Sequence, residues 1–147
     1  LFVGQGVAAE RITFRANETR QGFLTSYNNI DISLDPFPYT GGTTTLESLL
    51  LGVPLVTIMG SKWSARLSST TLLAINHDEL IAKDKDEYLL KLVELANDPQ
   101  RILRYRKNLR QDMLNSDLHI DKYVINFEKA LKDIWQIKCS QQKCYTI

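Results

Sequence analysis

DPFPYTGGTTTLESLLLGVPLVTI, residues 35–58, indicates the fold class because a loop, a helix and a strand follow one another without a gap. Thr45–Leu51 has helical character, and Gly52 is the residue type that most often ends a helix. Val53–Ile58 is nearly continuous apolar sequence, which is typical of a strand covered on both faces. Pro54 would lie near the start of this strand, where a missing N–H is tolerated.

Further short elements alternate on either side of this stretch. Strand and helix patterns separated by short connections predict βαβ units and a parallel sheet. We therefore expect an α/β fold, a Rossmann-like parallel sheet with flanking helices. The predicted strands are Ile12–Phe14, Asp31–Asp35 and Glu79–Ala82, and the predicted helices are Glu18–Asn28 and Lys62–Ala74.

Beyond residue 83 the pattern is helical throughout. Asp84 and Glu87 form a capping-box pattern, and Asp98-Pro99 opens the next helix. Two buried stripes are expected: Tyr88, Leu89, Leu92, Val93 and Ala96, then Ile102, Tyr105, Leu109 and Met113. A final amphipathic helix carries Tyr123, Phe127, Leu131, Ile134 and Trp135. We predict an α/β part at 1–82, C-terminal helices of the same domain at 83–138, and a flexible tail at 139–147.

Composition excludes several classes of function. The 147 residues are 44% apolar, enough for a core, and 18 basic against 17 acidic side chains leave a net charge of +1. This balance gives no reason to expect nucleic acid or a membrane as partner. Cys139 and Cys144 have no His or further Cys nearby to complete a zinc site, so we expect reduced thiols, no metal and a cytoplasmic protein. Because the chain begins with Leu1, we expect a fragment.

The glycine–threonine run precedes a helix and follows a predicted strand, which is where α/β proteins bind phosphate. Gly41 and Gly42 allow the backbone to approach a ligand, and the threonines at 43–45 add N–H and hydroxyl donors. Glu47, one turn into the helix, can accept hydrogen bonds from a ribose. Plain helix capping by a Thr44–Glu47 box is the alternative, and the two interpretations are compatible. The run matches neither the Walker pattern nor GxGxxG.

Three segments together resemble the C-terminal part of the O-linked N-acetylglucosamine transferase family, nearest to its plant SPINDLY-type members. They are DISLDPFPYTGGTTTLESLLLGVPLVTIMG, KWSARLSSTTLL and ELIAKDKDEYLLKLVELANDPQRILRYRKNLRQDM, and the similarity spans about Ile12 to Trp135. The resemblance implies an incomplete C-terminal half of a GT-B glycosyltransferase. It also implies a metal-free, inverting transfer from a UDP- or GDP-sugar to Ser or Thr of an acceptor protein. The expected partners are a missing N-terminal GT-B domain and tetratricopeptide repeats.

The resemblance also assigns residues. It places the diphosphate at Gly42, Thr43 and Thr44, the ribose at Glu47, and base or rim contacts at Arg15, Arg20, Phe23 and Arg66. With the neighbouring Gly41 and Thr45 of the same run, these residues make up the candidate diphosphate site. Animal members have a histidine at the position of Gly42, and a family histidine aligns with Phe23. A family lysine that neutralises the diphosphate lies upstream of this chain. We therefore assign no catalytic residue and do not expect the 147 residues alone to catalyse.

Two other functions remain open. One is a non-catalytic nucleotide-binding or protein-docking module with the same fold, which the missing histidines favour. The other is a glycosyltransferase with an asparagine or small-molecule acceptor.

Several further residues carry expectations of their own. His77 and His119 are expected in loop or surface positions, and the basic run from Arg101 to Arg110 on the solvated side of a helix. Trp63 is expected either to cover the sugar site or to lie in the core. The apolar stripe of the last helix is expected to be exposed if a partner domain is absent.

Overall fold

The computed structural model describes residues 2–16 and 18–141, the last of these by its backbone only. In this part of the chain, three strands form a parallel sheet in the order β1-β2-β3: β1 (Ser33–Leu34), β2 (Leu55–Ile58) and β3 (Ile81–Ala82). Ser33 lies opposite Leu55, and Thr57 lies opposite Ile81. The parallel α/β arrangement expected from the sequence is confirmed.

Within the described residues, six α-helices accompany the sheet, and short 3₁₀ turns connect several of them. Turns at Trp63–Ala65 and Asp78–Leu80 precede a helix and a strand, respectively. The helices are α1 (Arg20–Ser26), α2 (Thr43–Leu50), α3 (Leu67–Ala74), α4 (Lys85–Ala96), α5 (Pro99–Asn115) and α6 (Ile120–Gln141).

The core surrounds β2. Leu55 and Val56, which point to opposite faces of the strand, are both buried, as the continuous apolar sequence predicts. Helices α2, α3 and α4 each contact β2, and α5 packs on α2 and α4. The buried cluster therefore takes side chains from the sheet and from both halves of the chain, among them Leu49, Leu72, Leu95 and Leu109.

The caps of α4 and α5 follow the sequence pattern. Asp84 accepts a hydrogen bond from the Glu87 N–H at 2.9 Å, and Asp98 accepts one from the Arg101 N–H at 2.9 Å. Glu87 in turn accepts from the N–H of Lys83 at 2.9 Å. Both helix starts are thus fixed by local sequence.

Three predicted elements differ from the structure. Ile12–Phe14 is not a strand: Phe14 is exposed, and no described strand pairs with this segment. The region of Lys62–Ala74 begins with a 3₁₀ turn, and α3 starts only at Leu67. The buried stripe of α4 was also wrong. The apolar side chains of α4 extend around more than one face of the helix, so the spacing of apolar residues does not by itself identify the buried face. The residues that face the core are Tyr88, Leu92 and Leu95, whereas Leu89, Val93 and Ala96 are exposed.

Helix α6 extends through Cys139 to Gln141, three residues into the predicted tail, and residues 142–147 lie outside the described part of the chain. Its apolar stripe is exposed, as expected for a surface without its partner, and includes Tyr123, Phe127, Leu131, Ile134 and Trp135. No helix within the described residues has the length and apolarity that crossing a membrane requires.

Candidate functional site

The glycine–threonine run lies where β1 leads into α2, at the carboxyl end of the sheet. Gly42 is the N-cap residue of α2, and no side chain caps this helix. Among the described residues, the N–H groups of Gly42, Thr43 and Thr44 have no hydrogen-bond acceptor. The side chains of Thr43 and Thr44 are exposed. Open N–H groups, a helix dipole and two free hydroxyls together form an anion-binding arrangement.

The Thr44–Glu47 capping box predicted as the alternative is absent. Since α2 begins at Thr43, Thr44 lies inside the first turn rather than at the cap. Glu47 makes an ionic contact with another helix instead. The plain capping interpretation is therefore wrong for this helix.

Asp35, at the end of β1, fixes the start of the loop. This buried carboxylate accepts a hydrogen bond from the Gly41 N–H at 2.8 Å through Oδ1 and one from the Thr57 hydroxyl at 2.5 Å through Oδ2. Thr57 belongs to β2, so the carboxylate ties the loop to the central strand. Because the Gly41 N–H is already hydrogen-bonded to Asp35, Gly41 supports the loop and does not offer a donor to a ligand.

Ser68 of α3 holds the other side of the loop. Its hydroxyl donates to the Gly41 carbonyl at 3.0 Å and lies 2.8 Å from Thr45 Oγ1. Thr45 is buried, and its hydroxyl is engaged with Ser68, so of this predicted diphosphate residue only the backbone is available. The small side chain of Ser68 thus lets α3 approach the loop closely.

The two glycines have different steric surroundings. A Cβ on Gly41 would lie 2.5 Å from Thr45 Oγ1, 3.0 Å from Thr44 Oγ1 and 3.2 Å from Asp35 Oδ1. A Cβ on Gly42 would meet only Leu67 Cδ1, at an ordinary 3.7 Å. The fold therefore requires glycine at 41, whereas position 42 has room for a side chain.

Glu47 points from α2 toward α1. Arg20 Nη2 lies 2.8 Å from Glu47 Oε1, but their geometry is not that of a hydrogen bond, and this oxygen is buried without a donor. The Glu47 side chain is 11% exposed and that of Arg20 is 72% exposed. Burial, then the negative charge of Glu47, raise the pKa of Tyr27. Because Arg20 is solvated, a ligand that offers Glu47 hydrogen-bond donors can displace it at small cost.

Three of the predicted rim residues meet in one cavity. A cavity of about 600 Å³ is lined by Arg15, Arg20 and Phe23, together with Glu18, Ser26 and Ala16. Phe23 packs edge-to-face on Tyr27 with ring centroids 5.5 Å apart. Asn17, inside the same segment, lies outside the described residues. An aromatic ring and two guanidinium groups are suitable for stacking on a nucleobase.

Arg66, the fourth predicted rim residue, lies elsewhere. It lines a second cavity, of about 490 Å³, with Trp63 and residues of α3. Trp63 is 76% exposed, which excludes the core position that the sequence left open. The turn that carries Trp63 is joined to the loop, because the Thr40 N–H and hydroxyl both donate to the Ser64 carbonyl, at 3.1 and 3.2 Å.

Contrary to the sequence prediction, the basic run from Arg101 to Arg110 is not wholly a solvated face, because Arg106 binds backbone groups of other elements. Its guanidinium donates to the carbonyls of Tyr27, Ile30 and Leu51, at 3.2, 2.5 and 3.4 Å. It thereby connects α5 to the end of α2 and to the segment after α1. Gly52 allows this approach, since its φ is +78° and a Cβ there would lie 2.7 Å from the Arg106 carbonyl oxygen.

His77 is held between two carboxylates. It precedes the amino end of β3, so it lies at the end of the sheet opposite to the glycine–threonine loop, which follows the carboxyl end of β1. Its Nδ1 lies 2.8 Å from Glu79 and its Nε2 3.1 Å from Asp112. Burial alone would lower the pKa of His77, but hydrogen bonds to both carboxylates outweigh it and raise the pKa above 6.5. Burial would raise the pKa of Glu79, but hydrogen bonds from Tyr105 and His77 lower it. The cluster ties α5 to the turn before β3.

One predicted residue away from the loop is simple to place. His119 lies before α6, with Nδ1 3.6 Å from Asp121, in the turn position expected of it. Over residues 2–16 and 18–141, no group of three or more His, Cys, Asp or Glu side chains is arranged to hold a metal ion.

Comparison with known proteins gives consistent matches. The model of the family described as Glycosyl transferase family 41 matches residues 2–127. Over 117 residues, the chain is 37% identical to the probable UDP-N-acetylglucosamine–peptide N-acetylglucosaminyltransferase SPINDLY of Arabidopsis thaliana; the match covers 79% of this chain and 13% of that protein.

A more distant relative and a solved structure extend the match. The UDP-N-acetylglucosamine–peptide N-acetylglucosaminyltransferase of Caenorhabditis elegans is 26% identical over 135 residues, 91% of this chain and 12% of that protein. The structure of a mutant O-GlcNAc transferase of Thermobaculum terrenum superposes with a TM-score of 0.84 at 32% identity, covering 94% of this chain and 27% of that one. The chain thus spans a small part of the length of these relatives.

Proposed function

Because the chain belongs to glycosyl transferase family 41, we propose that it is the nucleotide-sugar-binding part of an inverting protein O-glycosyltransferase. The donor is a UDP- or GDP-sugar, and the acceptor is a Ser or Thr hydroxyl of a protein. The observation that carries the proposal is the uncapped start of α2. There, the N–H groups of Gly42, Thr43 and Thr44 have no acceptor among the described residues.

The proposed role of the loop is to stabilise the leaving group. The acceptor oxygen forms a bond to the anomeric carbon while the bond from that carbon to the diphosphate oxygen breaks. The diphosphate leaves with the electron pair, so negative charge grows on its oxygens. Preorganised N–H groups of Gly42 and Thr43 and the hydroxyls of Thr43 and Thr44 are suited to stabilise this charge. These residues would do so without a metal, and the base that takes the acceptor proton is not assigned.

The nucleoside would extend from the loop toward α1. Glu47 would exchange its ion pair with Arg20 for hydrogen bonds from two ribose hydroxyls. The base would then lie in the cavity of Arg15, Arg20 and Phe23, with the phenyl ring available for stacking. Arg106 supports this wall from α5 by binding the carbonyls that follow α1.

The rest of the enzyme would come from outside these residues. The chain matches 13% of its Arabidopsis relative, and the exposed stripe of α6 offers a surface for a further domain. We propose an N-terminal GT-B domain and tetratricopeptide repeats as that remainder, in a cytoplasmic enzyme. The same exposed stripe is also what a non-catalytic docking module would present, which keeps that function as the second candidate.

A calorimetric titration of the chain with UDP, GDP and ADP tests the proposal. We expect UDP or GDP to bind in preference to ADP. Replacing Thr43→Val and Thr44→Val together should weaken binding by at least about tenfold, because two hydroxyl donors are lost while shape and the backbone N–H groups are kept. The matched control is Thr70→Val with Thr71→Val on α3, which should leave the affinity for the free diphosphate unchanged. Equal affinities in both double variants would refute the loop as the diphosphate site.

A further inference from the structure

The cavity of Trp63 and Arg66 (the Trp63 cavity) has a lining unlike that of the cavity of Arg15, Arg20 and Phe23, where the base is proposed to bind (the base cavity). Its walls are the exposed indole, the Arg66 side chain and the apolar Leu67, together with the hydroxyls of Ser61, Thr70 and Thr71. No carboxylate lines it, and no described carboxylate pairs with Arg66. The cavity therefore offers one flat aromatic face and several hydrogen-bond donors.

The Trp63 cavity lies next to the glycine–threonine loop, to which Leu67 and the turn at Ser64 connect it. Leu67, one of its walls, has Cδ1 3.7 Å from the position of a Cβ on Gly42. Thr40 binds the Ser64 carbonyl beside Trp63, which fixes the turn to the loop. The base cavity borders the same helix α2 through the contact of Arg20 with Glu47. A diphosphate at the loop would thus have one cavity next to each of its two ends.

We infer that the Trp63 cavity binds the sugar of the nucleotide sugar, with Trp63 against a face of the pyranose ring and Arg66 donating to its oxygen substituents. The inference rests on the proposed function and adds a residue that determines which sugar is bound. The C–H groups on one face of a pyranose are apolar and fit a flat aromatic ring. The oxygen substituents of the sugar need donors, which Arg66 and the hydroxyls of Ser61 and Thr70 supply. The Thr71 hydroxyl already donates to the Leu67 carbonyl.

The position favours the sugar over the acceptor peptide as occupant. The sugar is bonded to the terminal phosphate, so it must lie against whatever holds that phosphate. The volume of about 490 Å³ is ample for one monosaccharide. The Trp63 side chain is exposed, and covering the apolar face of its indole with a sugar ring stabilises the complex.

The test measures the gain in affinity that the sugar adds. Dissociation constants of the chain are measured for UDP against UDP-N-acetylglucosamine and for GDP against GDP-mannose. We expect the sugar to tighten binding in one pair by about tenfold, the effect of one or two net hydrogen bonds. Trp63→Ala should remove this gain and leave the affinity for the free diphosphate unchanged. Trp63→Phe, which keeps an aromatic face, should retain part of it.

Trp135→Phe supplies the matched control and a spectroscopic readout. Trp135 is also exposed but lies on α6. This variant should keep the full gain, and it leaves Trp63 as the one tryptophan of the chain. The nucleotide sugar should then change Trp63 emission more than the free diphosphate does. Thermal unfolding of each variant checks that it folds.

The outcomes separate the two proposals. If UDP or GDP binds but the sugar adds nothing, or if Trp63→Ala keeps the full gain, the sugar site is refuted and the diphosphate site stands. If neither diphosphate nor nucleotide sugar binds, the proposed function is refuted, and the sugar site with it.

Discussion

Replacing Gly41→Ala should destabilise the protein strongly, because the added Cβ has no room. It would lie 2.5 Å from Thr45 Oγ1, a buried atom held by Ser68. Relief requires moving the loop away from Asp35, which breaks the 2.8 Å hydrogen bond from the Gly41 N–H. Overpacking costs about 1–3 kcal/mol, and a lost hydrogen bond to a charged group costs roughly 1.5–3 kcal/mol. We expect a total loss of about 2.5–6 kcal/mol.

Urea unfolding followed by circular dichroism measures this loss. At a typical slope of about 2 kcal/mol per molar urea, the midpoint should fall by roughly 1–3 M. Gly42→Ala is the matched control, since its Cβ meets only Leu67 Cδ1 at 3.7 Å. It replaces an N-cap glycine and should cost no more than about 1 kcal/mol. Equal losses for the two alanine variants would refute the argument that the fold constrains position 41 specifically.

Three further substitutions test the contacts around the loop and the sheet. Asp35→Asn should cost about 1–3 kcal/mol in urea unfolding, because one charge-assisted hydrogen bond is lost. Gly52→Ala should cost about 2–4 kcal/mol by the same measurement, since φ is +78° and the Cβ would approach the Arg106 carbonyl to 2.7 Å. His77→Gln should lower stability most between pH 4.5, the ordinary pKa of Glu79, and pH 6.5, that of histidine, because both groups are charged there. Because the pKa of His77 is raised in the folded protein, its contribution to stability is lost as pH rises through that raised pKa. Because the pKa of Glu79 is lowered, its contribution to stability is lost as pH falls through that lowered pKa. A loss of stability that does not depend on pH would contradict this.

Local patterns predicted much of the fold. The buried strand β2, the helix end at Gly52, and the caps at Asp84 and Asp98 depend on neighbours in sequence, and all are present. The resemblance to the O-linked N-acetylglucosamine transferase family is confirmed by the family match and by the superposition on a solved member. Where the pattern was ambiguous, as around α4, only packing against the sheet selected the buried face.

The residues that hold the candidate site were not predictable in this way. Asp35, Ser68 and Arg106 act through partners 6 to 79 positions away in the chain. Nothing in the adjacent sequence marks a carboxylate that will bind a loop amide or an arginine that will bind three carbonyls. Ile12–Phe14 shows the converse case, since strand propensity has no effect when the sheet offers no partner to this segment.

The most direct test of the account is a ¹⁵N–¹H correlation spectrum of the chain, recorded as UDP and then GDP are added. The amides of Gly42, Thr43 and Thr44 should shift first and furthest, followed by residues near Glu47 and Phe23. Amides around His77, at the opposite edge of the sheet, should stay in place. Saturable shifts confined to the His77 side, with the loop amides unmoved, would contradict the claim that the uncapped start of α2 holds the diphosphate.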